Sequence, residues 1–245
     1  MKLLEDLADR ARTSSTIADV SALLGDAARE LGFHYHALVE HADLARPPPQ
    51  YLFLQNYPPG WVEKFAKAGL HRYDPAQCLA ARRHGGFAWA EIPRYLQLTN
   101  RQVRIIDEAH EAGLGEGFTV PLHVAGARGA SCSFATRPGT PLPREALLSA
   151  ELLAHVIFSA VHDILRGPPV AAPPHLSRRE RECVVLMCQG KTDWEIATII
   201  GIGEETVTTY LKAARRKFGL SRRTQLAIAA VCHGLVSLEE VTSWQ

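Results

Sequence analysis

Apolar positions recur at helical spacing from residue 16 to 31, where Ile17, Val20, Leu23, Leu24, Ala27, Ala28 and Leu31 share one face. The pattern then shortens to strand-like stretches at 33–40 and 51–55, joined by Pro47-Pro48-Pro49. Pro58-Pro59 opens a helix that runs through 68, with proline in its favoured first turn. A further helix is predicted over 97–112, strands over 117–124 and 129–135 punctuated by Gly126 and Gly129, and a long apolar helix over 143–165. Helices before, between and after a run of strands predict an α+β fold, an N-terminal α-β-α sandwich whose antiparallel sheet is covered on both faces. Beyond residue 175 the pattern is all helical. Ser177 caps a helix that Gly190 closes. Thr192 caps a second, Asp193–Ile199, and Glu195 three residues on makes a capping box. Gly201 allows a tight turn into a third helix, with Val207, Leu211, Ala214 and Phe218 on one face, and a fourth covers 224–235. The C-terminal part is therefore predicted to be a four-helix, all-α domain.

The boundary between the two parts lies at Arg166 to Pro174, where four prolines in nine residues exclude a helix interior or a central strand. This predicts a first domain over 1–165, a semi-rigid linker over 166–174 and a second domain over 175–245. Hydrophobic residues make up 47% and charged residues 22% of the 245, which excludes a disordered or low-complexity chain. No apolar run is expected to reach the roughly 18 residues of a membrane span. The start, Met1-Lys2-Leu3-Leu4-Glu5-Asp6, turns acidic too early for a secretory signal, so a cytoplasmic protein without membrane contact is expected. The five cysteines form no CxxC pair and read as reduced thiols, with no metal and no cofactor; His34-x-His36 reads as one strand face.

Charge is uneven. No acidic residue occurs between Glu205 and Glu239, a window that holds Lys212, Arg215, Arg216, Lys217, Arg222 and Arg223. Two short helices joined by a glycine turn, the second with an apolar inner stripe and a polar-basic outer face, make a helix-turn-helix for double-stranded DNA. Thr, Glu and Lys at the start of the third helix reach base edges, and Lys and Arg at its end neutralise phosphates. The candidate DNA-binding residues are Lys191, Thr192, Glu205, Thr206, Thr208, Thr209, Lys212, Arg215, Arg216, Arg222 and Arg223. Leu176-x-x-Arg179-Glu180-x-Glu182, Gly190-Lys191-Thr192-x-x-Glu195-Ile196-Ala197, Thr206-Val207 and Lys217-Phe218-Gly219 resemble the DNA-binding domain of LuxR-type regulators. Gly203 stands where that family usually has Ser, and Thr208 where arginine or asparagine is common. The operator sequence therefore does not carry over.

The first domain decides which kind of regulator this is. A phosphorylated receiver would need an acidic pair at its first strand and an aspartate acceptor where this chain has Pro47-Pro48-Pro49-Gln50. Asn56-Tyr57-Pro58-Pro59-Gly60-Trp61, Phe65, Tyr73-Asp74-Pro75, Phe87-Ala88-Trp89, Gly113 to Gly117, Val120 and Pro121 instead resemble the autoinducer-binding domain of quorum-sensing LuxR regulators. That resemblance implies an N-acyl homoserine lactone as ligand, held between the sheet and its helices. It implies that Trp61 donates to the lactone carbonyl, Asp74 accepts from the ligand amide N–H, and Tyr57 and Ser133 bond the acyl carbonyl. It also implies that Trp89 walls the lactone ring and that Ala109 and Leu114 line the cavity, with Tyr73 beside Asp74 in the same motif. Phe65 stands where the family commonly has Tyr, which puts the acyl preference, aromatic and branched tails included, in question. An acyl amide lactone needs one anionic acceptor, a few neutral donors and apolar walls, and this set supplies them.

The expected protein is a ligand-responsive transcription factor, not an enzyme, acting as a homodimer on a two-fold operator, with RNA polymerase as a further partner. The 143–165 helix carries more apolar residues than one face can bury and is the expected dimer surface, with Leu153 upon it. One alternative is a regulator of the same fold that senses another small apolar molecule. Another is a lactone- or amide-processing enzyme, which would need a base beside Ser133 or Cys132; His123 lies on an adjacent predicted strand.

Overall fold

The computed structural model of the chain describes residues 2–42, 48, 51–124, 127–166 and 174–242. Most of the expected 166–174 linker, Pro47, Pro49 and Gly126 lie outside them. The chain divides into two compact units, residues 1–169 and 170–245.

In the first unit a five-stranded antiparallel sheet runs β2-β1-β5-β4-β3, built from β1 (Tyr35–Glu40), β2 (Phe53–Gln55), β3 (Phe87–Ala88), β4 (Gly117–Leu122) and β5 (Ala130–Ala135). One face carries Leu38, Val120, Leu122, Cys132 and Phe134. It packs against α1 (Lys2–Thr13), α2 (Ile17–Glu30) and α7 (Leu147–Arg166). The other face shows smaller residues at the alternate positions. Ala37 pairs with Ser133, Ser133 with Thr119, and Val39 with Ser131. Because side chains alternate along a strand, bulk on one face and small residues on the other follow from period two alone. Over the small-residue face lie α3 (Pro59–Lys67), α4 (Pro75–Ala80), α5 (Ile92–Tyr95) and α6 (Asn100–Glu111).

Three features depart from the sequence expectation. Helix α1 was not anticipated; Leu7 and Ala11, four apart, bury its inner side. The segment Arg144–Leu165 is, contrary to expectation, long and apolar enough to cross a bilayer. Its inner face, however, belongs to the sheet's core: Leu153, Ala154, Ile157 and Val161 are all but fully buried. Leu153 is thus an interior residue and cannot form a dimer surface; Leu148, 81% exposed, and Leu152, 50% exposed, occupy the outer side.

The second unit comprises α8 (Arg178–Cys188), α9 (Asp193–Ile200), α10 (Glu204–Lys217), α11 (Arg223–Cys232) and α12 (Leu238–Thr242) around Cys183, Val184, Ile196, Val207, Leu211, Ala214 and Leu226. Ser177 and Thr192 each accept from the backbone N–H three residues on, with Glu180 and Glu195 reciprocating. Gly201 takes φ 69°, the left-handed turn that the helix-turn-helix requires. The short α12 makes five helices where four were expected. Its signal was present in Ser237-x-x-Glu240, whose side chains cap each other's backbone N–H.

Candidate functional site

A cavity of about 780 Å³ lies between the small-residue face of the sheet and helices α3 to α6. Eight of the nine predicted ligand residues line it: Tyr57, Trp61, Phe65, Asp74, Trp89, Ala109, Leu114 and Ser133. Tyr73 does not. It is 41% exposed and its ring lies 3.6 Å beneath the Arg101 guanidinium, because the turn into α4 sends Asp74 and Tyr73 to different sides. Its place in the site is therefore withdrawn.

The cavity holds a polar corner within an apolar wall. Asp74 caps α4, its Oδ1 accepting from Ala76 N at 3.0 Å. Burial pushes its carboxyl up to about 6, against the pull of the backbone N–H groups of Ala76 and Gln77. Burial likewise raises the Tyr57 phenol, helped by the nearby Asp74 carboxylate, so Tyr57 is a neutral hydrogen-bonding group. A relay crosses the sheet beside it. Trp89 Nε1–H donates to Thr119 Oγ1 at 2.9 Å, and Thr119 Oγ1 lies 2.8 Å from Ser133 Oγ. Ser133 in turn bonds the Tyr57 hydroxyl. Since the indole N–H can only donate, Thr119 accepts there, and either hydroxyl can be the donor in its bond with Ser133. Trp61 Nε1–H meets no acceptor among the described residues. One anionic acceptor and several neutral donors thus converge, while Phe65 packs on Trp61 at 5.5 Å and Ile105, Ala109 and Leu114 complete the wall.

Sequence reading missed Thr119, His71 and Ser131. His71 and Ser131 line the cavity, and Thr119 lies behind it as the partner of Trp89 and Ser133. The alternation of Ser131 and Ser133 with Cys132 and Phe134 was the available signal for Ser131. Gly117 has a role of its own: a Cβ there would stand 2.3 Å from the Trp89 indole. Gly117→Ala is expected to displace Trp89, break its bond to Thr119 and cost about 1–3 kcal/mol of stability, read by thermal melting.

The hydrolytic reading needs His123 as a base beside Ser133 or Cys132. Cys132 is fully buried on the opposite face of the sheet, and burial holds its thiol well above the usual range. His123 Nε2 instead lies 2.9 Å from the Arg83 carbonyl, and Ser133 Oγ lies 2.8 Å from Thr119 Oγ1.

In the second unit, Glu205, Thr206, Thr208, Thr209, Lys212 and Arg216 are exposed on α10. Several of the predicted DNA contacts, Thr208 among them, are engaged within the domain. Thr192 is occupied as the cap of α9. Arg223 pairs with Asp193 and donates to the Lys191 carbonyl. Thr208 Oγ1 donates to Asp193 Oδ2 at 2.9 Å, so Asp193 joins both sides of the helix-turn-helix. Arg215 donates to the Ser221 carbonyl at 2.8 Å. Lys212, Arg216 and the exposed Arg222 have no such internal tether among the described residues. The sequence marked these groups as basic; only packing distinguishes scaffold from free cation.

Comparison with known proteins matches residues 16–161 to the autoinducer binding domain and residues 174–230 to the bacterial regulatory proteins of the luxR family. The chain is 34% identical over 186 residues to an HTH-type transcriptional regulator of Sinorhizobium fredii, covering 75% of this chain and 56% of that longer protein. It is 27% identical over 221 residues to the transcriptional activator LuxR of Aliivibrio fischeri, covering 89% and 88% of the two chains. The crystal structure of Escherichia coli SdiA shares the fold, with a TM-score of 0.64 at 23% identity over 96% of this chain and 98% of that one. The Sinorhizobium and Aliivibrio relatives are transcriptional regulators rather than enzymes. The chain belongs to the LuxR family of quorum-sensing transcriptional regulators, with an autoinducer-binding domain followed by a helix-turn-helix for DNA.

Proposed function

We propose that the autoinducer is an N-acyl homoserine lactone and that the protein acts as a cytoplasmic homodimer on a two-fold operator. The observation that carries the ligand is the polar corner. A buried carboxylate, Asp74, suits an amide N–H, while Trp61, Tyr57 and Ser133 suit carbonyl oxygens, all beside an apolar wall. Each methylene of the tail buried there adds about 0.8 kcal/mol. Mass spectrometry of the small molecule recovered from protein purified after expression with a mixture of lactones tests this. An intact lactone supports the reading; recovery of a molecule without an amide N–H would sink it.

A second reading keeps the fold and changes the signal. SdiA, 25% identical over 96% of this chain, has been solved in complex with octanoyl-rac-glycerol, an ester without an amide N–H. Asp74 can accept from an amide N–H or from a glycerol hydroxyl alike, so the mass of the recovered molecule separates the two readings.

On DNA, Lys212 is the ninth of the fourteen residues of α10 and Arg216 the thirteenth. Lys212→Ala is expected to lose about 1–3 kcal/mol of discrimination between operator and random DNA. Arg216→Ala should weaken both about equally and flatten the salt dependence. Competition binding at two salt concentrations separates them; equal losses on both DNAs for Lys212→Ala would make it a phosphate contact. RNA polymerase as a partner is supported by the exposed apolar pair Trp194 and Ile199 on α9, 64% and 55% accessible, which offers a surface for protein rather than for phosphate.

A further inference from the structure

The cavity has a second polar place, away from the corner that suits the lactone amide. Two residues along β5 from Ser133 stands Ser131, on the same face of the sheet and about 7 Å further on by strand geometry. Its neighbours in the cavity are Val39 and Phe53, which pair across β1 and β2, and Tyr51, stacked on Phe53 with ring centroids 5.8 Å apart. Ser131 is 1% exposed yet lines the cavity. Its Oγ lies 2.9 Å from His41 Nε2, at the end of β1.

This pair is neutral and still has capacity. Burial, with His123 nearby, lowers the His41 imidazole to about 4, so at neutral pH it carries no charge. If Ser131 donates to Nε2, its oxygen can accept one more hydrogen bond; if it accepts from Nε2–H, its hydroxyl proton is free to donate. Burial also pushes the Tyr51 phenol up to about 12, so it too is a neutral donor and acceptor. A wholly alkyl tail would need none of these groups: on this face of the sheet, alanine in place of Ser131 would serve it as well.

Resting on the lactone reading of the polar corner, we propose that the tail of the signal carries a hydrogen-bonding oxygen near its far end, met by the Ser131–His41 pair, rather than being a plain alkyl chain. The reach from Ser133 to Ser131 sets the position of that oxygen at about the fifth or sixth carbon from the acyl carbonyl.

The test uses the full chain and two probes, hexanoyl-homoserine lactone and 6-hydroxyhexanoyl-homoserine lactone, with affinities measured by calorimetry on the wild type and on Ser131→Ala. The wild type is expected to bind the hydroxylated lactone about three- to tenfold more tightly, the gain of one net hydrogen bond. Ser131→Ala should reverse that order, since the hydroxyl would then be buried with a poorer partner. Equal or tighter binding of the plain lactone to the wild type overturns the inference but leaves the lactone reading intact. Binding of neither lactone overturns both. The wild-type comparison decides the matter even if Ser131→Ala fails to fold.

Discussion

Asp74→Asn is expected to raise the melting temperature of the ligand-free protein while removing its response to an acyl homoserine lactone. The two effects share one cause. Burial raises the Asp74 carboxyl to about 6, above its ordinary value of 3.8, so the folded chain holds that proton more tightly than the unfolded chain does. The stability from this proton is present in full below the ordinary value and is lost as pH rises through about 6. At neutral pH the folded chain therefore bears the cost of a buried charge. Asparagine removes that charge and can still accept from Ala76 N, so the cap of α4 survives. A ligand amide N–H repays the charge by donating to it, in a bond worth about 1.5–3 kcal/mol, or ten- to over a hundredfold in affinity. Wild-type affinity should also fall as pH drops through 6, by about tenfold at pH 5, since the neutral carboxyl is a much weaker acceptor than the carboxylate, and the variant should show no such slope. Lactone titrations at pH 5 and pH 7 check both. A wild-type midpoint in Asp74→Asn at pH 7 would remove Asp74 from ligand recognition.

The second large effect contrasts the two sides of α7. Leu153→Glu places a charge at a position 1% exposed, among Ala154, Ile157 and the sheet. An unpaired buried carboxylate costs several kcal/mol, a large part of the 5–15 kcal/mol that holds a domain together. The expected product is an unfolded or insoluble first unit. Leu148→Glu, at 81% exposure, should instead leave the melting temperature of the first unit within a few degrees. If α7 forms the dimer, the same change should shift sedimentation toward the monomer and weaken operator binding at least tenfold. Soluble, dimeric Leu148→Glu protein with wild-type operator affinity would place the dimer surface elsewhere.

Periodicity and turn residues located four of the five strands, helices α2, α3, α6 and α7, and the helix-turn-helix, while the two-residue β3 is too short to carry a period. Motif resemblance picked out the polar corner of the cavity. Four things were set only by the tertiary structure. Leu148 and Leu153 are both leucines on one apolar helix, and only the sheet beneath decides which is core. Tyr73 and Asp74 are adjacent, and only the turn into α4 decides which of them faces the cavity. Arg223 and Arg216 have the same side chain, yet Asp193, thirty residues from Arg223, ties one into the scaffold. The strongest case is Thr119, Ser133, Tyr57 and Trp89, far apart in the chain: strand register sets Thr119 against Ser133, and Trp89 and Tyr57 meet them from outside the strands. A sequence states which groups can hydrogen-bond and which stripe is apolar, because those follow from residue type and local period. Partners and sides come from long-range packing, where one strand's register sets which side chains meet.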